Sequence, residues 1–392
     1  MEAFFSDHLD EFKSFRHDLH KNPELGFKEN RTASKVKEVL TLLDLPFVSG
    51  LGVTGIVATV KGALADNGKR VGLRADMDAL PMHEKSNHDH CSETEGCMHA
   101  CGHDGHTTML IAVAKYLAAH RNFSGVIYLI FQPAEERGGG GNEMVKDGLF
   151  EQFPMDAIFG LHNWPYIEAG KIAVLEGPAM SSVDILELEI KGVGGHGGAT
   201  PHLTKDPIRI AGTLIPALHS IISREIDPQE PAVLSLCSIQ AGQISAFNVI
   251  PDTAQISGTV RTFSKDVRNK IQAAVERICA GLATSFDAQI TVDYQPIFPA
   301  TVNNVEKAQF ARKVVQEVFP KNTLDDTVKP SMAGEDFSFM LNACPGAYLF
   351  LGSGKGVDSE PLHSPYFDFN DDVIPIGAKL LASIGLKILS ED

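Results

Sequence analysis

Cysteine, tryptophan and positive charge are all scarce in this sequence. The 392 residues include one Trp and six cysteines, and 34 Lys and Arg face 50 Asp and Glu, for a formal net charge of -16. So few cysteines in so long a chain do not form a disulfide framework, which favours a reducing, cytoplasmic location. The negative charge argues against nucleic acid and anionic membrane surfaces as partners. It does not argue against a small acidic substrate, because one arginine can hold a carboxylate.

Long hydrophobic runs are missing as well. No stretch approaches the roughly 20 apolar residues that a membrane-spanning helix needs, so the sequence predicts no membrane segment. The N-terminus lacks the basic and apolar regions of a secretory signal. Instead, Phe5, Leu9, Phe12, Phe15 and Leu19 recur at helical spacing and predict an amphipathic helix of the folded protein.

The first half of the chain alternates apolar runs of strand length with helical segments, which predicts an α/β fold with a mostly parallel central sheet. Strands are predicted at 71–75, 126–131 and 157–161, and a helix at about 105–119 with Asp104 as its N-cap. Open α/β sheets bind ligands at the carboxyl ends of their strands. The polar side chains that follow these strands are Asp76, Asp78, Glu135, Glu136 and His162.

The pattern changes near Val183, where apolar and polar residues begin to alternate as in a strand with one solvated face. Strands and helices then follow in the order β-α-β-β-α-β, which predicts a ferredoxin-like α+β domain. We therefore expect residues 1–183 and 297–392 to form one domain, and 184–296 to be inserted into it.

Cys101 and His103 stand two residues apart, directly before the predicted helix at 105–119. A thiolate and an imidazole at this spacing supply half of a metal site. Glu136 and His162 at strand ends and His363 in a late loop are candidates for the other half.

A structural zinc knuckle that uses Cys91 and Cys97 with Cys101 and His103 is a competing interpretation. The gaps between these residues are five, three and one, which do not match the usual spacing of zinc fingers. The knuckle would also leave the glutamate pair unexplained.

Glu135 and Glu136 directly follow an apolar strand and Pro133. A buried strand end is a poor place for two negative charges unless a cation is present. One carboxylate can bind metal while its neighbour takes a proton from the activated water. This pair therefore favours metal-assisted hydrolysis.

Seven motifs spread over nearly the whole chain make it resemble the dinuclear-metal amidohydrolases and carboxypeptidases, in the branch with aminoacylases, hippurate hydrolases and auxin-conjugate hydrolases. The motifs are LRADMDALP at 73–81, MHACGHDGH at 98–106, FQPAEE at 131–136, GLHNWP at 160–165, NVIPD at 248–252, GTVR at 258–261 and LHSP at 362–365. The resemblance implies a metal-binding catalytic domain with an inserted lid and dimerisation domain.

The same resemblance implies a role for each candidate residue at the metal centre. Two divalent metal ions (Mn, Zn, Co or Ni) would be bridged by Cys101, and Asp78 would lie behind the ligands. Glu135 would be the general base. The residues that would complete the two coordination spheres are His103, Glu136, His162 and His363.

For the inserted domain, the resemblance implies contacts with the substrate. His196 would help to polarise the substrate carbonyl, in its own subunit's site or in that of a partner subunit. Asn248 and Arg261 would hold the free carboxylate of the substrate. From composition alone, His196 fits a flexible surface turn and Arg261 fits an ordinary strand-end ion pair.

Most of the fifteen histidines have no predicted role. Those interpreted as ordinary surface or core residues are His8, His17, His20, His88, His90, His120 and His219. Those left as possible neighbours of the site are His83, His99, His106 and His202.

Taken together, the sequence predicts a cytoplasmic, metal-dependent amidohydrolase of N-acyl-L-amino acids that acts as a homodimer or higher homo-oligomer. A dipeptidase or carboxypeptidase of the same chemistry is one alternative. A metal-binding protein that has lost catalysis is another, and the presence of every expected ligand and of Glu135 argues against it.

Overall fold

The computed structural model describes residues 1–391, which form two compact units. Unit 1 comprises Met1–Ala179, Val302–Pro330 and residues 336–391, and unit 2 comprises Met180–Thr301 and Ser331–Glu335. Unit 2 is therefore an insertion in the chain of unit 1, with one further short segment. The residues predicted to be inserted, 184–296, all belong to unit 2.

Helices and strands are numbered here in chain order. The helices are α1 (Glu2–Asp7), α2 (Leu9–Lys21), α3 (Asn30–Leu42), α4 (His103–Ala119), α5 (Gly140–Lys146), α6 (Leu149–Gln152), α7 (Pro207–Arg224), α8 (Lys265–Phe286), α9 (Val305–Val318), α10 (Phe337–Ala343) and α11 (Ile374–Ser390). The strands are β1 (Phe47–Leu51), β2 (Gly55–Lys61), β3 (Arg70–Asp76), β4 (Val126–Gln132), β5 (Ala157–Glu168), β6 (Ile172–Ala173), β7 (Gly177–Met180), β8 (Val183–Lys191), β9 (Gly195–His196), β10 (Ala232–Ala241), β11 (Val249–Ile250), β12 (Thr253–Thr262), β13 (Gln289–Phe298), β14 (Thr301–Asn303) and β15 (Gly346–Gly354).

Unit 1 is built on a seven-stranded sheet in the order β1-β2-β4-β3-β5-β15-β6. The four central strands, β4, β3, β5 and β15, run parallel, and the outer strands pair antiparallel. Every residue of β4 is buried, as expected for a parallel strand covered on both faces. This confirms the predicted α/β fold with its parallel central sheet.

The predicted helix after Cys101 exists, but its start was predicted wrongly. Helix α4 begins at His103, its N-cap is Gly102, and no side chain caps it. Asp104 lies in the first turn and is fully buried, where its carboxylate accepts hydrogen bonds from Arg16 and His20 of α2 instead of capping the helix. Asp104 thus pairs with charged side chains of a distant helix and does not make the predicted capping hydrogen bond.

The N-terminal segment forms two helices where one was predicted, because the chain breaks at His8 between α1 and α2. The apolar side chains of Phe5, Phe12 and Leu19 are buried as the helical spacing predicts.

Helix α11 is the segment that comes nearest to a membrane-spanning composition, although Lys379 and Lys387 interrupt its apolar residues. The stretch Asp371–Ser390 meets the length and hydropathy of a membrane span, and 67% of its most apolar window is buried inside the protein. It packs against α4 within the core of unit 1. A helix that is apolar all round is typical of the interior of a large domain.

Unit 2 contains a four-stranded antiparallel sheet in the order β10-β12-β8-β13. Helices α7 and α8 pack on one face, where Leu186, Leu188 and Ile190 of β8 are buried. This strand order with two helices on one face is the predicted ferredoxin-like arrangement. Asp184 breaks the alternation, since it is buried and accepts hydrogen bonds from Arg268 and Tyr294.

The buried His20–Asp104 pair predicts a pH-dependent stability. Burial opposes a charge on His20, but the Asp104 carboxylate outweighs it and raises the pKa of His20 to about 9. The pKa of a histidine in the unfolded chain is about 6.5. The His20–Asp104 pair therefore stabilises the metal-free fold fully below about pH 6.5. This contribution is lost as the pH rises through the folded-state pKa of about 9.

Raising the pH from about 6.5 to 9.5 should therefore lower the free energy of unfolding of the chelator-treated wild type more than that of chelator-treated His20→Asn. We expect the two decreases to differ by a few kcal/mol at most. Denaturant titrations at the two pH values measure this difference. Equal pH dependence in both proteins would show that His20 is not charged in the folded state.

Candidate metal centre

The five side chains predicted to bind metal come together at the carboxyl edge of the parallel strands. Two groups of donor atoms form there, and within each group all ligand atoms lie within 4.8 Å of one another. Cys101, His103 and His162 make the first group, and Cys101, Glu136 and His363 make the second. Because both groups contain Cys101, its sulfur stands between two potential metal positions.

The turn between Cys101 and His103 depends on glycine. Gly102 has φ 94°, a left-handed conformation that side chains rarely adopt. A Cβ atom at this position would lie 2.4 Å from Oδ1 of Asn163. Gly102 thus lets the two donors project from the end of a loop and the first turn of α4.

The turn after β4 aims the two glutamates. Ala134 also has a left-handed φ of 51°, and its N–H donates to Glu29 Oε1 at 2.8 Å. The Asp78 carboxylate then accepts the N–H of Glu135 and the N–H of Glu136, each at 3.0 Å. Strained backbone of this kind persists only where the surroundings fix it, and here two carboxylates do so.

His162 lies within β5, and the prediction that it follows the strand is wrong. The strand continues to Glu168, because it pairs with β15 past this point. The His162 ring is nevertheless well oriented for a metal ligand. Its Nδ1 donates to the Asn163 carbonyl at 2.6 Å, and its Nε2 is 3.4 Å from Cys101 Sγ. A backbone acceptor on one nitrogen leaves the lone pair of the other for a metal.

His363 is the most exposed of the donors, with 53% of its side chain accessible. It has a left-handed φ of 64°, and its N–H donates to the Ala100 carbonyl at 2.8 Å, which ties this late loop to the residues just before Cys101. His363 Nε2 is 3.2 Å from Glu136 Oε1.

The donors have strongly perturbed acid–base properties. Burial raises the pKa of the Cys101 thiol well above its usual range, and the Glu136 and Glu135 carboxylates raise it further. Burial and the neighbouring His106 ring lower the pKa of His162 well below the ordinary value. His162 is therefore the neutral form that binds metals.

His103 behaves in the opposite way. Burial opposes its charge, yet the carboxylates of Asp76 and Asp78 raise the pKa of His103 to about 10. Its Nδ1 is 3.3 Å from Asp78 Oδ1. The surroundings of His103 thus favour a cation, which is a proton when no metal is present.

The donor set fits divalent transition metals. His103 Nε2 is a buried atom without a hydrogen bond, as expected of an atom reserved for a metal. Thiolate, imidazole and carboxylate together suit Mn, Co, Ni and Zn. The residues present therefore fit the implied ions.

Sequence reasoning missed a buried network behind the donors. The Arg74 guanidinium, inside β3, donates to Asp76 at 2.7 Å, to Gln132 at 2.8 Å and to Asp336 at 3.2 Å. An arginine in the interior of an otherwise apolar strand is the signal that could have identified this network.

Asp76 and His106 support the site and are poor candidates for ligands. Asp76 Oδ1 is 2.6 Å from His106 Nδ1, while Oδ2 accepts from Arg74. His106 Nε2 accepts the N–H of Asn163 at 3.0 Å. Both oxygens of Asp76 are thus occupied, although it forms a third close group with His103 and His106.

The other predicted site residues, His196, Asn248 and Arg261, belong to unit 2. The exposed His196 lies on β9, and the N–H of the next residue, Gly197, donates to the Asn248 carbonyl at 2.8 Å. His196 Nδ1 accepts the N–H groups of Gly198 and Ala199 at 3.1 and 3.2 Å. The neutral ring consequently carries its proton on Nε2.

Arg261 is half-buried at the end of β12. Its guanidinium donates to the Thr259 hydroxyl and, at 3.1 Å, to the Val260 carbonyl. Both partners lie on the same strand, so within unit 2 these contacts orient the side chain without neutralising it.

Comparisons with known proteins agree with this chemistry. The profile of Peptidase family M20/M25/M40 matches residues 72–387. The hippurate hydrolase of Campylobacter jejuni is 42% identical and aligns over 97% of both chains. An IAA-amino acid hydrolase of Arabidopsis thaliana is 38% identical over 98% of this chain and 87% of its own. A crystal structure from Bacillus subtilis, described as a dinuclear metal binding peptidase from the M20 family, has TM-score 0.85, 32% identity and 99% coverage of both chains.

The fold and the donor set place the protein among the α/β metallohydrolases. Since the family profile covers well over half of the chain, the protein belongs to Peptidase family M20/M25/M40. The family resemblance seen in the sequence motifs is confirmed.

The contacts of Asp78 predict a role in metal affinity. Replacing Asp78 with Asn removes the charge beside His103 and disturbs the turn that carries the glutamates. Partners behind metal ligands are typically worth about 10–100-fold in affinity, and we expect a loss of that size. Competition with a chelator of known affinity measures it.

Asp156→Asn is the matched control. Its carboxylate also accepts a backbone N–H, that of Arg70 at 2.8 Å, but at the opposite end of β3. Unchanged metal affinity in Asp78→Asn, or an equal loss in both variants, would contradict the assignment.

Proposed function

We propose that this protein is a metal-dependent amidohydrolase that cleaves the amide bond of N-acyl-L-amino acids, releasing the acyl group as an acid and the free amino acid. The observation that carries this proposal is the pair of donor groups that share Cys101. The Glu135 carboxylate is close enough to raise the pKa of the Cys101 thiol. Two relatives are named as a hippurate hydrolase and an IAA-amino acid hydrolase, and the substrates in these names share this chemistry.

Cys101 and four further side chains would hold two divalent metal ions. These ligands are His103, Glu136, His162 and His363. Bound there, such ions supply Lewis acidity and lower the pKa of water, which amide hydrolysis needs near neutral pH. The donor chemistry admits Mn, Zn, Co or Ni.

Glu135 moves the proton. Its side chain is buried next to the metal ligand Glu136, and Asp78 fixes the backbone of both residues. The Glu135 carboxylate accepts a proton from the attacking water and returns it to the leaving nitrogen, so that no proton is gained or lost overall.

Residues of unit 2 contribute to substrate recognition in this proposal. His196 offers its Nε2–H to the substrate carbonyl, which is supported by the two backbone N–H groups that occupy Nδ1. Asn248 and Arg261 hold the substrate carboxylate, and a guanidinium suits that task because it donates in a planar fork. Unit 2 also serves as lid and dimerisation domain.

We further infer a cytoplasmic homodimer or higher homo-oligomer. All six cysteines are free thiols, which agrees with a reducing compartment. Exposed apolar side chains on unit 2, among them Ile244 and Phe247, support a second copy as partner.

A substrate panel tests the proposed reaction. Chelator-stripped protein should be inactive, and adding Mn²⁺ should restore release of the free amino acid from N-acetyl or N-benzoyl amino acids. Amine-specific labelling of the product measures the release. Preference for dipeptides would instead favour a peptidase of the same chemistry.

Glu135→Gln is the control for mechanism in the same assay. It should keep both metal ions by elemental analysis while losing at least about 100-fold in kcat, the usual worth of a general base. Failure of the whole panel despite two bound ions would reject the N-acyl-amino-acid class.

Mixing two inactive variants tests whether His196 acts across a dimer. After subunit exchange, a heterodimer of Glu135→Gln and His196→Ala has one site with an intact Glu135 and, across the dimer, an intact His196. Activity should therefore reappear on mixing, up to about half of the wild-type value per heterodimer. If His196 acts within its own subunit, every site carries one defect and no activity returns.

A further inference from the structure

A second cluster of metal-binding side chains lies outside the centre described above. It is formed by His20 of α2 with Glu84, His88 and Cys91 from the segment between β3 and α4. The sequence interpretation treated both histidines as ordinary residues, and the proposed hydrolysis uses none of the four side chains. We refer to these four residues as the peripheral cluster.

Three donor atoms of the peripheral cluster converge on one point. Glu84 Oε1 is 3.4 Å from His20 Nε2 and 3.0 Å from His88 Nε2, and all three atoms lie within 4.8 Å of one another. Metal–ligand distances of about 2.0–2.3 Å separate neighbouring ligand atoms by roughly 3.0–3.7 Å. The observed spacing therefore fits ligands around one small cation, as it also fits direct contacts between the side chains.

Cys91 lies beside the three converging donors, on the other side of the His88 ring. Its sulfur is 3.5 Å from His88 Nδ1. Burial and the nearby Glu84 carboxylate raise the pKa of the Cys91 thiol. The thiol thus adjoins two of the three converging residues.

The cluster is oriented by groups behind it, as protein metal sites usually are. His20 Nδ1 is 2.8 Å from Asp104 Oδ2, so a proton on Nδ1 leaves the Nε2 lone pair directed at Glu84. Glu84 Oε2 accepts the N–H of Ser92 at 2.7 Å, which leaves Oε1 for the cation. Carboxylate–histidine–metal arrangements have this form.

The neighbouring charges allow another cation. The buried Arg16 lies close by, but it pairs with Asp104, Asp368 and Asp371. These three carboxylates more than balance its charge. His88 is 21% exposed, which gives an ion a path from solvent.

We propose that His20, Glu84, His88 and Cys91 bind a third transition-metal ion of the Zn²⁺ class, separate from the hydrolytic centre. Two imidazoles and a carboxylate supply three ligands, and the Cys91 thiolate completes a four-ligand set of the structural type once its side chain turns toward the ion. On binding, Cys91 and a protonated His20 each release a proton to solvent. The ion joins α2 to the segment between β3 and α4, and so fixes the N-terminal helix.

Metal counting tests this proposal on the full-length protein. Chelator-stripped protein is reloaded with excess Zn²⁺, desalted and analysed for bound metal. We expect three ions per chain in the wild type and two in His88→Asn, with unchanged activity on any substrate that is cleaved. His83→Asn is the matched control, since the exposed His83 lies five residues earlier on the same segment, and it should keep three ions.

Cobalt supplies a second readout that does not depend on His88. The third equivalent of Co²⁺ should produce a near-ultraviolet thiolate band in the wild type and in Cys237→Ser, a control at an exposed cysteine, but not in Cys91→Ser. Circular dichroism verifies that each variant is folded. Two ions per chain in the wild type, or a third ion retained in both His88→Asn and Cys91→Ser, would overturn the proposal and leave His20 as a purely hydrogen-bonded bridge.

Discussion

The metal centre depends on one electrostatic constraint, the concentration of carboxylates at a largely buried edge of the sheet. Asp76 and Asp78 end one strand segment, and Glu135 and Glu136 follow the next. Carboxylates removed from water are costly unless cations compensate them. Arg74 does so for Asp76, and in the absence of metal a proton on His103 does so beside Asp78. Divalent ions are the compensation that the remaining donors are arranged to accept.

Backbone conformations and hydrogen bonds around the centre keep these carboxylates and the other donors in place. Left-handed backbone at Gly102, Ala134 and His363 brings donors from two loops and a helix start to one place. Asp78 couples them, because one carboxylate holds both glutamate N–H groups and faces His103. Metal affinity and the position of the general base therefore depend on the same residue.

Much of this could be predicted because the sequence patterns are local. Strand-length apolar runs, the change to alternation near Val183 and the ligand types at strand ends follow from residue order alone. The errors have tertiary causes. Asp104 pairs with Arg16 and His20 of the distant helix α2 instead of capping α4. The β5 strand continued past His162 because β15 pairs with it there.

The sequence by itself determined the fold class, the family and the types of metal ligand, since these depend on periodicity, composition and short motifs. Only the tertiary structure decided that Cys101 belongs to both donor groups and that Asp76 is saturated by Arg74 and His106. It alone brought His20 against Glu84. Such contacts join residues tens to hundreds of positions apart, and no local pattern encodes the distances between them.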